Sequence, residues 1–329
     1  MFFALVLSLS APTADGAPAP RLVGEPLELK TGTGTLYGTL DLPAGPGPWP
    51  VVLMHAGSGP TNRDGNGPLT RTDNLKMVGR ALAAEGIAVV RIDKRGMGAS
   101  AKALAKEEDV RIDAYAADAI AWTALLRKDP RFAKLGYIGH SEGALIGLVA
   151  ARDAKFDAYV SLCGPGRPLQ DVLREQLKKG LSDDLYKQSD AVITELEAGR
   201  TVKDAPQALA ALFRPSVQPF LISVFRHDPA KLAAGLTVPL LVVSGSTDIQ
   251  VSGADAKRLG DASAKAKVVT VEGMNHVLKS VKGTERAEQL PSYADPSLPL
   301  HPKLVPALAA FLKPALGATG KPAFTLEVK

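Results

Sequence analysis

The chain predicts an α/β architecture: a mainly parallel central sheet flanked by helices, with a helical insertion. Three observations carry that expectation. Short continuous apolar runs alternate with segments of helical periodicity, the rhythm breaks once over residues 166–232, and the apolar runs end in glycine-rich or polar turns. Strands buried on both faces read as uninterrupted aliphatic sequence, and strands joined by crossover helices lie parallel. With 329 residues, 46% apolar and 22% charged, the chain can bury one large core and still carry an insertion.

The elements follow in order. Residues 34–41 alternate as an early strand does, and Gly45–Pro50 is a turn-rich linker. Val51-Val-Leu-Met54 is a buried-strand run, residues 74–84 have helical spacing, and Gly86 ends that helix before the strand Ile87–Ile92. Residues 113–127 form a helix around Trp122, and a strand over 135–138 leads to Ser141 and a helix to about 151. Strands follow at Asp157–Leu162, Pro239–Val243 and Lys267–Val271, with helices at 253–261 and 303–313. The expected organisation is therefore an N-terminal segment 1–24, core 25–165, insertion 166–232, core 233–317 and tail 318–329. Open sheets of this type place ligands at the carboxyl ends of their strands, so the insertion is expected to form a cap there.

Charge and cysteine content exclude several classes. The net charge of +5 is modest, and acidic and basic residues are mixed along the chain, so no nucleic-acid partner is expected. Cys163 is the single cysteine, which rules out an intrachain disulfide; its apolar setting marks a small core residue, and a cysteine-based zinc site would lack partners. Met1-Phe-Phe-Ala-Leu-Val-Leu-Ser-Leu-Ser10 resembles the apolar region of a signal peptide and is too short for a stable membrane span. Export is the expectation, with a cytoplasmic chain as the alternative.

The chemistry concentrates around Leu135-Gly-Tyr-Ile-Gly-His-Ser-Glu-Gly143, a G-x-S-x-G sequence directly after an apolar run. Glycines at 139 and 143 permit a sharp strand-to-helix reversal that lifts Ser141 Oγ clear of the sheet and aims a helix N-terminus at developing negative charge. A serine nucleophile needs an imidazole base, and the imidazole needs a carboxylate to fix its tautomer. Asp248 follows the strand at 239–243 and His276 follows the strand at 267–271, giving the order Ser141, Asp248, His276 at one sheet edge. Separately, each has a plain structural role available: a helix cap, an Asx-turn and a packed loop histidine.

The other histidines fit less well. His55 lies beside a glycine-rich loop whose geometry it can support, His140 is expected to point away from Ser141 Oγ, and His227 and His301 lie in the insertion and before the last helix. An oxyanion hole needs two amides. In His55-Ala-Gly-Ser-Gly-Pro60 the Ser58 amide is the first candidate, with Gly57 the register alternative, and the Glu142 amide is the second. Arg63 and Asp64 are expected to pair with one another and brace this loop, with lining the pocket as the alternative. Asp93 and Arg95 are expected to organise Asp93-Lys-Arg-Gly-Met-Gly98. No metal or organic cofactor is called for.

These landmarks closely resemble the α/β-hydrolase superfamily. More narrowly, they are similar to bacterial carboxylesterases related to the serine-aminopeptidase-like and dienelactone-hydrolase-like groups. The resemblance is carried by His55–Asn66, Arg91–Ser100, Gly139–Gly143, Gly245–Asp248 and Gly273–His276. It implies an α/β-hydrolase fold with Ser141 as nucleophile, Asp248 as acid, His276 as base and the Ser58 and Glu142 amides as oxyanion donors. It also implies that Phe220, Phe225, Ile249 and Val251 touch the acyl group of a small-molecule ester. The charged Glu142 leaves a substrate-amine contact open. A peptidase, amidase or thioesterase with the same machinery is the enzymatic alternative, and a non-catalytic binding protein is the other.

Overall fold

Valine- and leucine-rich runs bounded by turns assemble into one sheet in the computed structural model, which describes residues 24–318. Its strands are β1 (Glu25–Thr31), β2 (Gly34–Asp41), β3 (Trp49–His55), β4 (Ala88–Ile92), β5 (Phe132–His140), β6 (Ala158–Leu162), β7 (Leu240–Gly245) and β8 (Ala266–Val271). The spatial order is β1-β2-β4-β3-β5-β6-β7-β8. Only the β1–β2 and β2–β4 pairings are antiparallel. This is an α/β-hydrolase fold. The expected signal segment and C-terminal tail lie outside the described residues, apart from their innermost positions, Gly24 and Ala318.

The continuous aliphatic strands are the ones covered on both faces: every residue of β4, β6 and β7 is buried. On one face Ala116, Ala119 and Trp122 of α2 (Ile112–Leu126), after α1 (Asn74–Ala84), pack with Leu148 and Ala150 of α3 (Glu142–Ala154). On the other face, Leu75, Val78 and Leu82 of α1 pack with residues 304–316 of the closing helix. β1 is absent from the sequence reading because it is an exposed edge strand: Glu-Pro-Leu-Glu-Leu-Lys-Thr buries no residue fully. Its Pro26 suits an edge, where an amide donor is dispensable.

The insertion between β6 and β7 contains α4 (Leu169–Gly180), α5 (Asp183–Glu197), α6 (Ala210–Phe213), α7 (Gln218–Phe225) and α8 (Pro229–Ala234). Arg174 of α4 clips α5 through Asp190 at 2.6 Å and Glu197 at 2.7 Å. Val192, Ile193 and Leu196 of α5 join Leu221, Val224 and Phe225 of α7 against Tyr115 of α2 and Leu145 and Ile146 of α3. The insertion thus sits on the first turns of the helix that follows Ser141. α8, which crosses position 232, adds Ala233 to the sheet-covering core.

Three more α-helices follow β7 among the described residues: α9 (Gly253–Ala262), α10 (Arg286–Ala294) and α11 (Leu304–Leu316). The sequence reading lacks α10, because Pro291 within nine residues argues against a helix. Its buried Gln289 donates to the carbonyls of Thr247 at 3.0 Å and Gly283 at 2.6 Å, which fastens the loop after β7. Among the described residues, no single helix is long and apolar enough to cross a membrane.

Candidate active site

β5 ends at His140 and α3 begins at Glu142, leaving Ser141 alone to make the reversal at φ 54° and ψ −124°. A non-glycine residue holds such a backbone only when its surroundings determine it. Here the Ser141 amide donates to Leu162 O at 2.9 Å, Ser141 O accepts from the Ala144 amide at 2.9 Å, and Tyr137 Oη donates to Gly143 O at 2.8 Å. The flanking glycines are required by close approach. A Cβ on Gly139 would lie 2.3 Å from Gly143 O, and one on Gly143 would lie 2.5 Å from His55 O. The turn therefore packs directly against the end of β3.

Asp248 and His276 leave adjacent parallel strands, β7 and β8, on the same edge. The Asp248 loop is tied to the His276 loop by the Thr247 amide, which donates to Met274 O at 3.2 Å. Asp248 Oδ1 accepts the amides of Gln250 at 2.8 Å and Val251 at 3.0 Å, while Oδ2 lies 2.8 Å from His276 Nδ1. The two side chains are 1% and 5% exposed. Burial pushes the Asp248 carboxyl up, but the His276 charge and these hydrogen bonds outweigh it and hold it below its ordinary value. A carboxylate facing Nδ1 places the proton there and leaves Nε2 as a base.

Ser141 and His276 line one cavity of about 150 Å³, together with Gly57, Ser58 and His140. The rest of its wall is mostly polar, with Thr61, Thr70, Asn74, Gln250 and Tyr293. A second cavity of about 430 Å³ lies on the Asp248 side, walled by α4 and the loop 248–252, and Gln250 lines both. His140 also lines the Ser141 cavity: its Nε2 donates to His276 O at 2.8 Å, and the two rings are 5.0 Å apart. Burial first, then the neighbouring His276, lowers the His140 pKa to about 4.

None of the four residues expected at the acyl group lines the Ser141 cavity. Phe225 is in the core between the insertion and α3, and Phe220 packs edge-on against Tyr115 at 5.9 Å. Val251 is buried and serves Asp248 through its amide, while Ile249 lines the larger cavity. The apolar side chains of α7 are used in seating the insertion, which a sequence reading cannot separate from lining a pocket. Thr70, Asn74, Gln250 and Tyr293 are missed for the converse reason: polar residues in loops or at a helix end carry no periodic signal.

The expected Arg63–Asp64 pair is replaced by two longer-range pairs. Arg63 binds Asp93 at 2.7 Å, and Asp64 binds Arg91, which also holds Asp41 at 2.7 Å. Neighbouring side chains in an irregular loop diverge, so each reaches a different residue at the end of β4. Asp93 also accepts the Ala99 amide at 2.9 Å, and Arg95 binds Asp118. Between them, Lys94 turns inward to Gly57 O and Glu142. The sequence reading includes its motif but gives it no role; a lysine between two charged residues at a buried strand end is the only signal available.

Among the described residues, one group could offer three metal ligands: Cys163, Asp248 and His276, whose ligand atoms lie within 4.8 Å of one another. The cysteine thus has neighbours that its sequence setting does not reveal. Burial first, then the Asp248 charge, pushes its thiol well above the ordinary range, so an ion would have to displace its proton. An ion there would also have to break the 2.8 Å His276–Asp248 contact.

Comparison with known proteins agrees with this architecture. Residues 69–183 match the model of the serine aminopeptidase family of hydrolases. Esterase EstD of Thermotoga maritima is 30% identical over 254 residues, covering 75% of this chain and 59% of that relative. The chain therefore spans about three-fifths of the length of the curated relative it matches. Est1E from Butyrivibrio proteoclasticus superposes with a TM-score of 0.57 at 15% identity, over 89% of this chain and 99% of that one. A puromycin-hydrolyzing peptidase of Mycobacterium tuberculosis gives a TM-score of 0.57 at 19% identity, over 94% of this chain and 42% of that one. These similarities agree with the α/β-hydrolase fold of the chain.

Proposed function

We propose that this chain is a serine carboxylesterase acting through an acyl-enzyme on small-molecule esters. The observation that carries the reading is the single cavity shared by Ser141 and His276, with His276 Nδ1 held 2.8 Å from Asp248. His276 Nε2 takes the Ser141 proton as Oγ attacks the ester carbonyl. The resulting oxyanion is received by the Ser58 and Glu142 amides. Protonated His276 then donates to the leaving alcohol, and water activated by the same imidazole releases the acid.

Cavity size supports a short acyl group. About 150 Å³ is small beside the roughly 300–1,000 Å³ usual for ligand pockets, which disfavours a long alkyl chain. In this reading the insertion acts as a cap, and the 430 Å³ cavity beyond Gln250 takes the bulkier alcohol portion. EstD, described as an esterase, and Est1E, whose structure is known with ferulic acid bound, make ester substrates the natural class.

An aminopeptidase is the competing reading, drawn from the family match at 69–183. It would need a free anion for the substrate amine. Glu142 is a poor choice, because its carboxylate is 7% exposed and already faces Lys94 at 3.3 Å. Kinetics on p-nitrophenyl acetate, butyrate and octanoate, a thioester and an aminoacyl amide test both. Highest kcat/KM on the short esters, lost by about 10⁴-fold or more in Ser141→Ala, is expected. Dominant amide turnover would replace the esterase reading, and turnover that survives Ser141→Ala would remove the mechanism.

A further inference from the structure

We propose that Lys94 is the positioning residue that sets both amides of the oxyanion site at once. The proposal rests on the reading of Ser58 and Glu142 as the oxyanion donors. Lys94 follows β4 and is buried to 1% exposure, with its Nζ donating to Gly57 O at 2.6 Å and lying 3.3 Å from Glu142 Oε1. One ammonium thus holds two residues that come from different strand ends, the loop after β3 and the first turn of α3.

Each contact acts on one donor. Gly57 C=O and Ser58 N–H are the two ends of a single planar peptide. Among the described residues only Gly47–Pro48 is cis, so this peptide is trans and its two ends point in opposite directions. Pinning the carbonyl toward Lys94 therefore aims the Ser58 amide away from it. Gly57 and Ser58 both line the cavity, and a Cβ on Gly57 would lie 3.0 Å from Ser141 Cβ, so this peptide lies directly beside the nucleophile. The second contact holds the side chain of Glu142, whose own amide opens α3 beside Ser141. The distance between the two donors is then set through Lys94 and does not depend on either loop alone.

The environment suits a fixed charge. The Tyr115 ring lies 5.4 Å from Nζ, and Phe220 of the insertion packs on that ring. His55, buried beside them, stays neutral, its pKa lowered to about 3 by burial first and the Lys94 charge second. A buried ion pair is a weak source of stability, because desolvating both ions offsets their attraction, and an apolar replacement is often neutral. Its value here is geometric and electrostatic. An ammonium on the carbonyl polarises the peptide and makes the amide at its other end a better donor to the oxyanion.

Lys94→Met/Glu142→Gln removes both charges without stranding either. It is expected to keep the urea unfolding midpoint near wild type and to leave KM within about threefold. Its kcat should fall about 10- to 1,000-fold, the range of weakened oxyanion donors. Inhibition by a trifluoromethyl ketone, whose serine adduct carries an oxyanion, should weaken by a similar factor. Lys94→Arg and Lys94→Gln form a second pair if the double variant does not fold: arginine should stay within about tenfold of wild type and glutamine should lose more. Equal kcat and equal ketone inhibition in the folded variants would overturn the role of Lys94. Wild-type turnover independent of Ser141 would instead overturn the site reading beneath it, so the two failures are distinguishable.

Discussion

His140 Nε2 donates a hydrogen bond to the backbone carbonyl of His276 at 2.8 Å, which joins the residue before Ser141 to the loop carrying the second imidazole. The bond closes a ring of strand ends. β5 delivers Ser141, β8 delivers His276, and β7 between β6 and β8 delivers Asp248. A carbonyl can only accept, so His140 is the Nε2–H tautomer, and its low pKa keeps it neutral above about pH 5.

Replacing His140 with alanine leaves that carbonyl without its donor. A hydrogen bond of this kind is worth about 1–1.5 kcal/mol, close to a factor of ten in rate if the base shifts with its loop. His140→Ala is therefore expected to lower kcat on a short ester about tenfold, with the alkaline limb of the pH–rate profile unmoved. His140→Gln, which keeps an N–H donor, should recover part of the loss. Unchanged kcat in a folded His140→Ala would show that the bond does not position the base.

Acid should destabilise the fold well before its carboxylates protonate. His55 and His140 are buried neutral, with pKa values lowered from 6.5 to about 3 and about 4, chiefly by burial. Below pH 6.5 the unfolded chain binds protons that the folded chain refuses, so stability falls as pH falls. Each histidine contributes roughly 2 kcal/mol of loss between pH 7 and 5, from a limiting slope of about 1.4 kcal/mol per pH unit. Asp248, whose pKa is depressed, acts only lower, its contribution vanishing as pH drops below the ordinary carboxylate range. Urea unfolding at pH 7 and 5 should show this drop, and His140→Gln should show about half of it; equal stability at the two pH values would contradict the assignment.

Gly143→Ala tests the packing beneath the serine. The added methyl would lie 2.5 Å from His55 O and 2.7 Å from Ala56 O, both backbone atoms of a central strand end that cannot swing away. Overpacking of this kind costs about 1–3 kcal/mol, occasionally more. A lower urea midpoint accompanied by lost ester turnover is expected. An unfolding free energy within about 0.5 kcal/mol of wild type, the usual range for benign surface changes, would mean that the turn can open without harm.

The sequence was most legible where physics is local. Val51–Met54, Ala88–Ile92 and Ala158–Leu162 lie in strands buried on both faces because continuous aliphatic runs have no exposed side to offer. The glycine pair around Ser141 announces the reversal because few other residues fit it. β1 and α10 escaped notice because an edge strand tolerates polar residues, and Pro291 contradicts the helix that contains it.

By itself the sequence determined the alternating layers, the position of Ser141 on a sharp turn, and the arrival of Asp248 and His276 after later strands. Only the tertiary structure decided which polar groups meet. Lys94 reaches partners 37 and 48 residues away, and Arg63 passes over its neighbour to find Asp93. It also decided that Phe220 and Phe225 seat the insertion and do not border the small polar cavity at Ser141. The physical reason is range. Backbone period and turn chemistry are written within a few residues, whereas a charge finds its partner only after sheet order has brought distant strand ends side by side.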